Sequence, residues 1–164
     1  MTLGPADFRR LIETLGAGRV EFIIIGGFAA AVHGSARATL DLDVVYRRSD
    51  ANVDRLVEAL RPIEPYLRGA PPGLPFELDP ATVKHGLNFT LDTALGPLDL
   101  LGEVAGGGTY EALLPFTEEV DLFGHACRAV TLDRLIVLKR AAGRPKDYEV
   151  LAELELLRER RSSA

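Results

Sequence analysis

Residues 22–46 read FIIIGGFAAAVHGSARATLDLDVVY, and the fold follows from how this stretch divides. Residues 20–25 (VEFIII) form a short β-branched run, the pattern of a strand buried on both faces. Gly26-Gly27 forces a turn, and residues 28–33 (FAAAVH) read as a short alanine-rich helix closed by Gly34. Residues 40–46 (LDLDVVY) read as a second strand. Without Cβ atoms, the two glycines let the backbone approach a ligand closely. The helix behind them turns unpaired N–H groups and its positive dipole end toward that space, an arrangement suited to phosphate. A plain tight turn has the same local sequence, so the reading depends on what stands beside it.

Asp41-Leu42-Asp43 stands beside it. Side chains alternate along a strand, so Asp41 and Asp43 share one face while Leu42 packs into the core. Two carboxylates about 6–7 Å apart along one strand repel each other unless a cation sits between them. Oxygen-only ligands select a hard ion such as Mg2+ or Mn2+. A solvated Asp-x-Asp face has the same letters. A third carboxylate, Asp99, sits between leucines in residues 98–101 (LDLL), where a charge is rarely placed for packing. If it projects to the same face, three carboxylates converge near the glycine turn, as two-metal phosphoryl transfer requires; the alternative is the exposed end of a hairpin.

Outward from this centre, residues 6–15 place Phe8, Leu11, Ile12 and Leu15 at helical spacing. Residues 50–60 form a helix with Asp50 as N-cap. Residues 62–80 hold six of the ten prolines and read as a surface loop. Residues 87–92 and 98–101 read as a hairpin turning at Gly96-Pro97. Residues 106–108 are a glycine break before a short helix at 110–114, and residues 120–123 and 127–130 form a second hairpin around Gly124. Thr131 caps a helix over 132–142; Gly143, Arg144 and Pro145 break it before a last helix over 146–161. The order predicts an α/β (α+β) architecture, a mixed twisted sheet with flanking helices and a C-terminal helical pair. Residues 1–164 are expected to form a single domain, with a core at about 18–130 and the C-terminal helices at about 131–161.

The 164 residues are 47% hydrophobic, which excludes disorder for most of the chain. No apolar run reaches the roughly 18 residues of a membrane helix. Residues 1–10 have no basic head followed by an apolar stretch, so no secretory signal is expected. The lone Cys127 rules out an intramolecular disulfide and any multi-cysteine zinc site, and a cytoplasmic location is the expectation. The net charge of −5 argues against a general nucleic-acid coat. It is uneven: residues 1–127 carry 18 acidic and 10 basic side chains, residues 128–164 carry 6 and 9. The basic end is either an amphipathic helix's solvated face or a cationic segment completing a polyanion site.

Gly26-Gly27, the alanine-rich helix with His33-Gly34, then Arg37, Thr39, Asp41 and Asp43 resemble the polymerase-beta-like nucleotidyltransferase superfamily. Its hallmark is Gly-Gly or Gly-Ser, Asp-x-Asp about a dozen residues later, and a third Asp on a later strand. The form IIGGFAAAVHGSARATLDLDV is similar to the bacterial minimal nucleotidyltransferases, including AbiEii-type toxin components of toxin–antitoxin systems. The stretch LIVLKRAAGRPKDYEVLAEL resembles their last two helices, which often carry Lys and then Arg-x-Lys-Asp. Many members have Ser after the first glycine; here Gly27 stands there. The resemblance implies that Asp41, Asp43 and Asp99 bind Mg2+ or Mn2+, with Asp99 as base near the acceptor hydroxyl. It implies that Gly26 and Gly27 cradle the triphosphate of an NTP, and that Lys139, Arg144 and Lys146 approach the phosphates or acceptor. Asp147 would fix a basic partner or complete the site. Acceptors in RNA (tRNA among them), protein or small molecules, and a cognate antitoxin partner, are all compatible with it.

For Arg37, a phosphate contact and an ion pair to an aspartate stand equally open. His33 is a capping or packing residue or a nucleotide contact, and Lys139 is a solvated helix edge or a phosphate ligand. His85, His125 and Cys127 carry no acyl-transfer arrangement. The leading function is metal-dependent NMP transfer from an NTP to a hydroxyl. The alternatives are a non-catalytic binding module on the same fold and a sugar transferase using Asp-x-Asp alone.

Overall fold

Four consecutive apolar residues can be buried on both faces only in the interior of a sheet, and β1 (Phe22–Ile25) lies there with every residue buried. In the computed structural model, which describes residues 4–163, β1 pairs antiparallel with β2 (Leu42–Tyr46) and parallel with β9 (His125–Val130). Residues 1–3 and 164, the ends of the span expected to form one domain, lie outside the described residues. The remaining strands are β3 (Tyr66–Leu67), β4 (Asn88–Thr93), β5 (Gly96–Leu101), β6 (Glu103–Val104), β7 (Gly108–Thr109) and β8 (Thr117–Leu122). Seven strands, β1, β2 and β9 among them, form one open, mixed, twisted sheet in the order β3-β4-β5-β2-β1-β9-β8, and β6 and β7 make a separate two-stranded ribbon.

The helices are α1 (Phe8–Ala17), α2 (Gly26–Val32), α3 (Asp50–Leu60), α4 (Pro80–His85), α5 (Tyr110–Leu113), α6 (Leu132–Ala142) and α7 (Pro145–Ser162). α1 packs on α3 and α3 on α4, while α6 and α7 form the C-terminal pair, with α2 against α6. Among the described residues, no helix is long and apolar enough to cross a membrane.

Register decides which side chains meet. Paired residues share a face. Leu67, Leu91, Leu98 and Leu42 align across β3, β4, β5 and β2, and the last three are fully buried. The next row, on the opposite face, is Thr90, Asp99 and Asp43. The leucines fix the register by their burial, and a one-residue slip would put them on the site face.

Several local expectations shift. α2 begins at Gly26, so the glycines form its first turn instead of preceding it. Ser49, not Asp50, caps α3: its hydroxyl accepts from the Asn52 N–H, while Asp50 pairs with Lys84 at 2.9 Å. The β4–β5 turn is Ala94-Leu95, and Gly96-Pro97 lie inside β5, because Thr93 pairs with Gly96. The proline-rich segment includes the edge strand β3 and leads into α4, whose cap Asp79 accepts from the Thr82 N–H. The 106–108 glycines lie in the β6–β7 ribbon, and Gly107 packs against α6 where a Cβ would meet Leu138 at 2.8 Å. Thr131 caps α6 as expected, and Gly143, at φ +65°, ends it.

Candidate active site

Parallel pairing of β2 with β5 sets Asp43 directly beside Asp99. Asp41, two residues upstream on the same side, completes the group: one carboxylate oxygen from each lies within 4.8 Å of the others. The hairpin-end alternative for Asp99 is thereby excluded, since its side chain is 20% exposed and in register with Asp43.

The price of this convergence is electrostatic. Burial, then the negative charges of Asp41 and Asp99, push the Asp43 carboxyl up to about 8, with a hydrogen bond to Asp99 adding to the rise and Lys139 opposing it. Burial also raises Asp99; the Arg68 guanidinium opposes that rise and Asp41 adds to it. One oxygen of Asp43, Oδ1, is buried without a hydrogen-bond partner among the described residues. An orphaned buried carboxylate oxygen within an all-oxygen donor set fits a hard divalent cation. Asp41, Asp43 and Asp99 are the residues that could hold it.

Gly26 makes room for this group. At φ +68°, its position would place a Cβ 2.2 Å from Asp43 Oδ2, so the glycine is required by both backbone and neighbour. At Gly27 the added Cβ would meet Thr39 Oγ1 at 2.6 Å. The two glycines therefore admit the Asp43 carboxylate and the strand-entry residue Thr39, beside the first turn of α2.

A cavity of ≈ 970 Å³ opens over the triad. The site residues read from the sequence line it: Gly27, Arg37, Lys139, Arg144, Lys146 and Asp147 join the three aspartates, and Gly26 adjoins from a smaller cavity of ≈ 200 Å³ under Asp43. Their states differ. Lys139 is no solvated helix edge: its side chain is 17% exposed, with Nζ 3.5 Å from Asp147 Oδ1. Asp147 is buried and takes the fixing role. Its Oδ2 accepts from Arg144 Nε at 2.8 Å and from the Arg144 backbone N–H at 3.1 Å, closing a capping box at the start of α7. Burial raises its carboxyl, but those bonds and Lys139 prevail and hold it below the ordinary carboxylate range. Arg37 is engaged by glutamates of α7, not by an aspartate: it lies 3.9 Å from Glu149 and 4.0 Å from Glu153, and donates to the Glu149 carbonyl. Lys146 is exposed on the cavity wall and has no hydrogen-bond or ion-pair partner among the described residues. His33 packs instead of facing the cavity, with Nε2 2.8 Å from the Val130 carbonyl and Nδ1 3.1 Å from Arg161 Nη2.

Sequence reading missed Arg68. It follows β3 and donates through Nη2 to Asp99 Oδ1 at 2.8 Å and the Leu91 carbonyl at 2.7 Å, and through Nε to Asp92 Oδ1 at 3.3 Å. Its Nη1 lies 3.8 Å from Asp41 Oδ2. The only sequence signal was that Arg68 is the sole basic residue in the proline-rich segment. Beside it, a second cavity of ≈ 630 Å³ is lined by Glu64, Tyr66, Asp92 and residues 72–73 and 93–94.

No family model matches the chain, and no curated protein matches its sequence. Among solved structures, the lincosamide antibiotic adenylyltransferase LnuA, in its lincomycin-bound form, is similar over 94% of this chain and 99% of its own, with a TM-score of 0.61 and 10% identity. At that identity the likeness is one of fold: this chain has a nucleotidyltransferase fold, and on it three aspartates gather as a candidate divalent-metal site.

Proposed function

We propose that this chain is a metal-dependent nucleotidyltransferase, moving a nucleoside monophosphate from an NTP to a hydroxyl acceptor. The observation that carries the reading is the meeting of Asp41, Asp43 and Asp99 within 4.8 Å beneath a cavity walled by Lys139, Arg144 and Lys146. A divalent ion on the three carboxylates would neutralise them and the triphosphate they otherwise repel. Lys146 and Lys139 attract the phosphates, and the first turn of α2 at Gly26-Gly27 offers backbone N–H groups to them. Asp99 takes the proton of the acceptor hydroxyl. The acceptor oxygen then bonds to the α-phosphorus as the bond to pyrophosphate breaks. Residues 1–164 act as one domain in this reading. A non-catalytic module has no use for a cluster in which Asp41 and Asp99 add to the burial that raises the Asp43 carboxyl.

The second cavity is joined to the triad through Asp92 and Arg68, and in this reading it receives the acceptor. Glu64 and Asp92 line it and no basic side chain does. That lining favours a small uncharged or cationic hydroxyl compound as acceptor, and LnuA, a lincosamide antibiotic adenylyltransferase with lincomycin bound, supports a small-molecule acceptor. The positive balance of residues 128–164 supports a second reading, an RNA acceptor for an AbiEii-like toxin component with a cognate antitoxin.

Incubation of the protein with labelled NTPs, Mg2+ and separated RNA, protein and small-molecule pools tests both readings. Label is expected in one pool, in the small-molecule pool under the first reading. Asp41→Asn and Asp43→Asn are expected to lower labelling by more than about 100-fold. Lys146→Met is expected to raise the KM for NTP about fivefold, the scale of one exposed charge contact. Undiminished labelling by both aspartate variants, or no label in any pool, overturns the proposal.

A further inference from the structure

We propose that Arg68 is a displaceable counter-ion of the triad: it and a divalent ion compete for Asp99 and Asp41, and Asp92 retains Arg68 when the ion wins. The inference rests on the metal site of the preceding section. It concerns a positioning residue that acts through the ligands.

The guanidinium is held in a fan. Nη2 reaches Asp99 and the Leu91 carbonyl, Nε reaches Asp92, and Nη1 faces Asp41. The Arg68 backbone is fixed as well, its N–H donating to the Thr90 carbonyl at 2.9 Å. Two of the three carboxylates around it belong to the triad; Asp92 does not. Asp92 lies on β4, which pairs with β5 on the side away from β2, so the fan draws Asp99 toward β4.

Chelation asks for the reverse. Oxygens bound to Mg2+ at about 2.0–2.1 Å stand about 2.9 Å apart when adjacent and about 4.2 Å when opposite. The triad oxygens lie within 4.8 Å of one another, a group that an ion can gather once the carboxylates turn to it. Arg68 holds Asp99 Oδ1 at 2.8 Å and faces Asp41 Oδ2 at 3.8 Å, so an ion drawing on these two carboxylates competes with the guanidinium for them. A second cation at the same carboxylate is also repelled by the guanidinium at short range. Arg68 can let go at small cost because Asp92 and the Leu91 carbonyl still satisfy it, and its side chain is 29% exposed. The freed edge then faces the cavity it already lines with Lys139 and Lys146.

Two variants should move metal affinity in opposite directions. Mn2+ alone is titrated into the full chain without nucleotide, and free Mn2+ is read by its electron paramagnetic resonance signal. Arg68→Met removes the competitor and is expected to tighten Mn2+ binding about tenfold, the scale of a charge-assisted hydrogen bond. Asp92→Asn keeps an acceptor but removes the compensating charge, leaves the Arg68 cation dependent on Asp99 and Asp41, and is expected to weaken binding severalfold. Arg68→Lys, which keeps the charge without the fan, is expected between wild type and Arg68→Met. A purely architectural Arg68 would make every variant bind more weakly. Unchanged or weaker binding by Arg68→Met overturns the proposal; should that variant not fold, Arg68→Lys and Asp92→Asn decide it by the same signs. If wild type and every folded variant bind no Mn2+, the metal site itself is refuted. If they bind it equally, only the role of Arg68 is.

Discussion

Asp43→Asn isolates the electrostatic strain at the centre of the site. The Asp43 carboxyl is pushed from 3.8 to about 8, by burial first and then by Asp41 and Asp99, against the pull of Lys139. Between those values the folded protein keeps a proton that the unfolded chain has released. Folding therefore takes up a proton, and stability falls as pH rises through this window. Each pH unit is worth about 1.4 kcal/mol, so the loss between pH 5 and pH 8 is at most about 4 kcal/mol. Asparagine has the shape of the protonated carboxyl and cannot ionise, so the variant escapes the loss. The assay is urea unfolding in the presence of a chelator at pH 5, 6.5 and 8. Wild type and variant are expected to have similar stability at pH 5, with the variant ahead by about 1–4 kcal/mol at pH 8. Millimolar Mg2+ with NTP should restore wild type at pH 8 and do little for the variant, because the ion binds the ionised carboxylate. Parallel stability profiles for the two proteins would refute the account of Asp43, since nothing else separates them.

Gly26→Ala is expected to cost about 1–3 kcal/mol from its left-handed backbone alone and to abolish Mn2+ binding, because its Cβ would stand where Asp43 Oδ2 lies. Gly27→Ala is expected to cost less, since Gly27 has no left-handed backbone, although its Cβ meets Thr39 Cβ at 2.9 Å as well as the hydroxyl and Thr39 must shift; urea midpoints and Mn2+ titration read both. Asp147→Asn is expected to destabilise by about 3 kcal/mol at pH 7 by leaving Arg144 and Lys139 without their shared carboxylate. The Asp147 carboxyl is held below its unfolded value, so its contribution is present above that value and fades in acid. The gap between variant and wild type in urea unfolding should therefore close as pH falls.

The triad was legible because each part has a local cause. Alternation puts Asp41 and Asp43 on one face, and the leucines beside Asp43 and Asp99 leave only one register in which all of them are buried. The start of α3 was less determinate, since Ser49 and Asp50 are both good caps and only the chain's path selects the one that reaches the Asn52 N–H. Arg68 was not legible at all. Its contact with Asp99 spans 31 residues and exists only because a two-residue strand, β3, docks on β4. No periodicity survives in two residues, and prolines on either side read as loop. Asp147 was seen as a site residue, but its capping of α7 depends on Arg144 and Pro145 opening the helix at that point.

Arg68 and Asp147 belong to one feature of the charge layout. The triad has a cation on each side, and each cation has a carboxylate outside the triad: Arg68 has Asp92, and Lys139 has Asp147, which it shares with Arg144. A cation held only by the triad would be stranded, desolvated and unpaired, if a metal ion took its partners, and that would weaken metal binding by the cost of burying a lone charge. With a partner outside the triad, each cation can be released from the aspartates while staying compensated. Asp92 and Asp147 belong to neither the glycine turn nor Asp-x-Asp, and neither is within the chelating group. They bear on it all the same, by setting how readily the three carboxylates are free to chelate.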